Sequence, residues 1–274
     1  MALPVALQIY SVRDDFAKDM EGTLKAVKEM GYDGVEFTTI PAEKSDYVKK
    51  LCEDIGLVPV SAHVQLGAMI EKPYETLAVY KNIGCHYVAV PWVDDARRPG
   101  SDNFYKSIGE IAKVGMCARQ MDMQLLYHNH DFEFKKLGDQ YGLDVMYDAI
   151  PAELLKTELD MCWVNVGGEE PSAFLRKYTG RAPVVHIKDF NMTGKLPKHL
   201  YALIGVPETE AVEEESTFEF RPIGSGMQNI PSILDACIDA GAEWVVVEQD
   251  NPSMGLTALE CAKKSREYLR SLGW

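Results

Sequence analysis

Short, wholly apolar runs alternate along this chain with longer segments whose apolar residues recur every three or four positions. The first kind reads as a buried strand and the second as a helix with one face on the core. Strands are predicted at residues 5–10, 34–37, 57–62, 86–90, 123–128, 154–159, 183–187 and 244–247. Helices are predicted at 16–30, 45–55, 73–83, 101–121, 143–150, 172–178, 230–240 and 256–272. Gly31, Gly56 and Gly84 follow three of these helices directly, in the place of a helix stop, and Ser101 or Asp102 opens the longest. Similar returns into a strand recur as MGYDGVEF, IGLVPVSA, IGCHYVAV and AGAEWVVVE.

Eight strand–helix units in succession predict an α/β fold, a (β/α)8 barrel, with residues 1–274 forming a single domain. The rival is an open doubly wound sheet, but no glycine-rich dinucleotide turn follows the first strand. Residues 190–226 break the rhythm, with Lys195, Lys198, His199 and the acidic run Glu213-Glu214-Glu215. A connection this long is usually functional or disordered, and it leaves the C-terminal end of the seventh strand. It is expected to act as a lid over the rim or as a contact between subunits, which leaves room for a homo-oligomer.

Composition narrows the function classes. Acidic residues outnumber basic ones 42 to 28, a net charge of −14, and the positive charge is not clustered, so nucleic acid is not an expected partner. The N-terminus has neither a basic segment nor a long apolar one, and no apolar run approaches the length of a membrane span; a cytoplasmic protein without a membrane partner is expected. The six cysteines lack C-x-x-C spacing and read as buried thiols.

Chemistry collects where four successive strands end. Strand five ends in His128-Asn129-His130, strand six in Leu159-Asp160, strand seven in His186-Ile187-Lys188 and strand eight in Glu248. Side chains alternate along a strand, so His128 and His130 share a face that Asn129 does not. Each residue alone reads as a capped or paired polar group. Together they read as the ligands of one divalent ion, His128, Asp160, His186 and Glu248, with His130 in reserve if the fifth strand runs one pleat longer. Imidazole and carboxylate donors without thiolate suit Mn²⁺, Co²⁺, Zn²⁺, Mg²⁺ or Fe²⁺. Tyr10 and Gln8 on strand one, Glu36, His63, Trp92, Trp163, Lys188 and Arg221 are the other rim candidates. Glu36, His63, Lys188 and Glu248 are acid/base candidates. Tyr10, Trp92, His130 and Trp163 are candidates for substrate contact, and Arg221 for an anionic group.

With LQIYSVRDD, GYDGVEF, YHNHDFEF, LDMCWVNVGGEEP, RAPVVHIKDF, PIGSGMQNI and WVVVEQD in view, the chain resembles the xylose isomerase-like TIM barrels. That group includes sugar phosphate isomerases/epimerases and inosose dehydratase-like lyases. The resemblance implies an ion held by a Glu, an Asp, a His and a second Glu, the last three matching Asp160, His186 and Glu248. The first position departs: His128-Asn129-His130 stands where many relatives read Glu-Asn-His. Epimerases of the group use the two metal-bound glutamates as paired acid and base, so an imidazole here points to an isomerase or lyase whose acid and base differ in kind.

The expected reaction is proton abstraction next to the carbonyl of a sugar or keto-sugar, through an enediolate stabilised by the metal. It leads to isomerisation or epimerisation, or alternatively to dehydration or glycoside elimination. Glu248 is the expected base and His63 or Glu36 the acid. Two other readings are an abasic-site endonuclease, which the charge opposes, and a sugar-binding barrel without catalysis.

Overall fold

The computed structural model of the chain describes residues 2–194, 200–201 and 217–274. Eight parallel strands line up as β1 (Val5–Gln8), β2 (Gly34–Phe37), β3 (Val58–Ala62), β4 (Tyr87–Val90), β5 (Gln124–His128), β6 (Lys156–Asp160), β7 (Val184–Ile187) and β8 (Trp244–Val247). Their order is β3-β2-β1-β8-β7-β6-β5-β4. The two end strands meet where His63 pairs with Ala89 and the Val64 N–H donates to the Ala89 carbonyl at 2.9 Å. The barrel is therefore nearly closed, and its weakest seam is joined at the C-terminal rim beside His63. It is a single-domain TIM barrel with helices outside.

Alternation along the strands builds two kinds of interior. Val5, Leu7, Val35, Leu125, Val185 and Val245 face outward and pack on helix residues such as Leu24, Val48, Leu77, Ile111 and Ile233. Each such side chain, fully buried, contributes about 1.5–3 kcal/mol. Ala6, Leu126, Val184 and Val246 face inward and fill the lower barrel. One pleat further along the same faces stand Gln8, His128, His186 and Glu248, all buried. The core thus turns from apolar to polar within one side-chain layer.

The helix predicted over 16–30 is two, Arg13–Lys18 and Met20–Met30, because Asp19 leaves helical geometry and caps the second through its side chain. The long helix begins at Phe104, after Asn103, with no side-chain cap from Ser101 or Asp102. Strand one stops at Gln8; Tyr10 lies on the turn that follows, its N–H held by the Gln8 side chain at 3.0 Å.

The segment 190–226 is more ordered than its sequence suggested. Asp189–Thr193 and Thr217–Arg221 form an antiparallel ribbon, with Phe190 opposite Phe220 and Met192 opposite Phe218. Its apolar side packs on Trp163 and Leu200. Asp189 anchors the return: its carboxylate accepts the N–H groups of Phe190, Gly224, Gly226 and Gln228 at 2.9–3.1 Å. The rest of the expected lid, residues 195–199 and 202–216, lies outside the described residues. Among the described residues, no helix is long and apolar enough to cross a membrane.

Candidate metal centre at the barrel mouth

The parallel register sets the ligand candidates side by side, with Asp160 of β6 opposite His186 of β7. His128 Nε2 lies 3.7 Å from Asp160 Oδ2, and His186 Nδ1 lies 2.9 Å from Glu248 Oε2. One donor atom from each of His128, Asp160, His186 and Glu248 falls within 4.8 Å of all the others. All four residues are buried. Asn129, on the opposite face, accepts the Asp160 N–H at 3.0 Å and so ties β5 to β6.

Lys188, one pleat beyond His186, brings its ammonium to 3.3 Å from Asp160, 3.1 Å from Glu248 and 3.0 Å from Asp250. Burial would lower its pKa, but these carboxylates outweigh that and hold it well above the usual lysine range. Burial would likewise raise Glu248, yet Lys188 and His186 hold that carboxylate well below its ordinary value. Asp250 is pushed by burial up to about 6.

Beneath this tier lies a second. Glu36 is fully buried, held by Gln8 at 2.5 Å and by the Ser61 hydroxyl, and its Oε1 stands 3.0 Å from His63 Nε2 and 2.8 Å from His186 Nε2. Glu158, one pleat below Asp160, places Oε2 2.7 Å from His63 Nε2 and 3.4 Å from His128 Nδ1. Burial alone would lower the His63 pKa, but Glu36 and Glu158 push it up to about 10. Glu158 rises to about 7, first through burial and then through the neighbouring Glu36 charge. His128 is held well below the usual histidine range by burial and by the neighbouring His186 and His63.

A cavity of about 460 Å³ opens above these groups. His63, His128, His130, Lys188, Glu248 and Asp250 form its polar floor, and Trp92 and Tyr10 belong to its walls. Trp92 meets the His130 ring edge-on with centroids 4.7 Å apart, and Tyr201 reaches the same wall, its hydroxyl donating to Asp131 at 2.5 Å. Arg13 also lines the cavity, its Nη1 held by the carbonyls of Tyr10 and Asp250 at 3.0 and 2.5 Å.

Three rim candidates stand back from the cavity. Trp163 is fully buried behind His130, ring centroids 5.1 Å apart, and offers no open face. Arg221 lies on the antiparallel ribbon and turns to Glu219 at 2.5 Å. Glu36 sits under His63, so of the two acid candidates only His63 borders the cavity. Sequence reasoning missed Glu158, Arg13 and Tyr201, and gave Asp250 no role. Glu158 was reachable, since it shares a strand face with Asp160; Tyr201 belongs to the segment that carried no periodicity.

The residues fit a divalent ion. Asp160 Oδ2, which faces His128 Nε2, is buried without a hydrogen bond among the described residues. Two imidazoles and two carboxylates at this separation are a familiar donor set for a transition-series ion.

Comparison with known proteins agrees with the fold. A family model for the xylose isomerase-like TIM barrel matches residues 24–272. Inosose dehydratase of Clostridium beijerinckii is 28% identical over 164 residues, 58% of this chain and 51% of that protein. Inosose dehydratase of Lacticaseibacillus casei is 25% identical over 181 residues, 64% of this chain and 57% of that one. The chain thus spans about half the length of the curated relatives it matches. A sugar phosphate isomerase/epimerase from Parabacteroides distasonis superposes with a TM-score of 0.80 at 20% identity, covering 99% of this chain and 94% of that one. An L-ribulose 3-epimerase superposes with a TM-score of 0.72 at 18% identity, covering 100% and 94%. With the family model matched across most of its length, the chain belongs to the xylose isomerase-like TIM barrel family.

Proposed function

We propose that the protein is a divalent-metal-dependent enzyme that removes a proton next to the carbonyl of a sugar or keto-sugar. The observation that carries this reading is the convergence of His128, Asp160, His186 and Glu248 at the floor of the cavity. These four residues would hold the ion, whose contribution is Lewis acidity toward the carbonyl and the neighbouring hydroxyl.

Glu248 is the base. It is ionised at any physiological pH, and it borders the cavity where a substrate carbon would lie. Lys188, beside it, offers an ammonium donor to developing negative charge on a substrate oxygen. Trp92 and Tyr10 present apolar ring surface to the substrate's C–H groups. His63 is the acid: the Glu36 and Glu158 carboxylates keep it protonated, and it reaches the cavity.

A carboxylate base and an imidazolium acid differ in kind, which favours elimination over symmetric epimerisation. In that branch the C–H electron pair forms the new double bond, Glu248 takes the proton, and the β C–O bond breaks. The leaving hydroxide takes the His63 proton and departs as water. The inosose dehydratase relatives support the same branch. Isomerisation is the second reading, favoured by Lys188, which stands close enough to Glu248 to serve proton transfer between adjacent oxygens.

The test is incubation of Mn²⁺- or Co²⁺-loaded protein with inosose and simple keto-sugars in deuterated water. Deuterium at the carbon next to the carbonyl, with loss of water from the product, is the expected result. Absence of exchange with every such compound would sink the proposal.

A further inference from the structure

We propose that the barrel interior holds a second divalent ion, one pleat below the first, bound by His63 Nε2, His128 Nδ1 and Glu158. The inference rests on the proposed function, since the seat adjoins the ion assigned there; with it filled, His63 Nε2 carries the ion in place of a proton, and the Lys188 ammonium is the acid that borders the cavity. Three imidazole nitrogens converge on Glu158 Oε2: His63 Nε2 at 2.7 Å, His128 Nδ1 at 3.4 Å and His186 Nε2 at 3.6 Å. Donor atoms of these four residues all lie within 4.8 Å of one another. Ligands bonded to a single ion at about 2.0–2.2 Å in tetrahedral geometry are about 3.3–3.6 Å apart. His63 Nε2 stands 2.7 Å from Glu158 and 3.0 Å from Glu36, and both contacts have to open to admit the ion.

Hydrogen bonding leaves this tier unfinished. His128 Nδ1, His186 Nε2 and Glu158 Oε1 are buried without a hydrogen-bond partner among the described residues. Native interiors rarely leave such groups unmet. Charge points the same way. Among the described residues, Glu36, Glu158, Asp160, Glu248 and Asp250 are buried around one buried ammonium, Lys188. Five carboxylates against the Lys188 ammonium and a protonated His63 leave −3; the outer ion leaves −1, and an inner ion that replaces the His63 proton leaves none.

The two seats divide the histidines cleanly. With both filled, the outer ion keeps Asp160, His186 Nδ1 and Glu248 and retains an open position for substrate. His128 then turns its Nδ1 to the inner ion, and His186 Nε2 stays beside Glu36 at 2.8 Å. An imidazole-rich seat suits Zn²⁺ or Co²⁺ better than Mg²⁺.

Metal-free protein titrated with Co²⁺, with bound metal counted and the visible spectrum recorded, tests the proposal. The wild type is expected to bind two equivalents. The double variant Asp160→Ala/Glu248→Ala should keep one, with the intense absorption of four-coordinate Co²⁺. Glu158→Gln and His63→Asn should each lose that equivalent and keep the outer one, with circular dichroism and thermal unfolding verifying that each variant folds. A single wild-type equivalent that survives Glu158→Gln and His63→Asn and vanishes in the double variant would overturn the inner seat alone, with protons on His63 and His186 as its counter-charge. A single equivalent that survives the double variant and is lost in Glu158→Gln would support the inner seat and overturn the outer assignment. No bound Co²⁺ at all would overturn both.

Discussion

His186 Nε2 stands 2.8 Å from Glu36 Oε1, while the other nitrogen of the same ring lies 2.9 Å from Glu248. The imidazole therefore spans the two polar tiers, and Glu36 orients it from below. Carboxylates behind metal-ligating histidines commonly change metal affinity 10–100-fold when removed. Glu36→Gln is expected to weaken binding of the outer ion by about that factor. Isothermal titration with Mn²⁺ checks it, and an unchanged Kd would show that Glu36 has no hold on the ring.

Glu248 and His63 should separate kinetically. Glu248→Gln is expected to keep substantial metal while losing solvent deuterium exchange at the substrate carbon, because the amide cannot accept the proton. His63→Gln should slow product formation more than exchange, since it acts after the C–H bond has broken. Removal of a general acid or base costs about 10²–10⁴-fold. Normal exchange in Glu248→Gln would place the base on another strand.

Glu133 supplies a pH dependence away from the ion. It is buried, accepts from the Tyr127 hydroxyl at 2.6 Å and the His130 N–H at 2.8 Å, and burial raises it to about 8. Between its unfolded value near 4.5 and about 8, the folded state holds a proton that the unfolded chain has released. The contribution is therefore full below about 4.5 and falls as pH rises toward 8, at most about 1.4 kcal/mol per pH unit. Thermal unfolding of Glu133→Gln across pH 5–8 should show a flatter slope than the wild type; equal slopes would refute this.

Asp189 holds four backbone N–H groups that return the ribbon to the barrel. Asp189→Ala leaves them without their acceptor and is expected to cost about 2–4 kcal/mol by urea unfolding. A change under about 0.5 kcal/mol would mean that water replaces the carboxylate freely.

Gly115 tests the packing of the long helix Phe104–Gln120. A Cβ there would sit 2.3 Å from the Leu154 carbonyl oxygen, a backbone atom with little freedom to move. Gly115→Ala is expected to destabilise the fold by about 1–3 kcal/mol despite the better helix propensity of alanine. A more stable variant would show that the helix shifts at little cost.

The strand and helix periods were legible because alternation and the 3.6-residue repeat are local consequences of burial, and the eight strands lie close to where the apolar runs placed them. The candidate ligands were legible for the same reason: polarity appears abruptly at His128, Asp160, His186 and Glu248, where an apolar core would otherwise continue. The ribbon was missed although Phe218 and Phe220 alternate with Glu219 and Arg221, because its two strands are joined through a long aperiodic stretch. What the sequence could not contain was depth. Whether His63 borders the cavity while Glu36 lies beneath it, or Glu158 pairs with His128, depends on strand register and on closure of the barrel at His63 and Ala89. Trp163 and Arg221 show the same limit. Their side-chain types suit a substrate, but packing against His130 and pairing with Glu219 decided their places. Residue type and period determined which groups could act; only long-range packing decided which of them face one another.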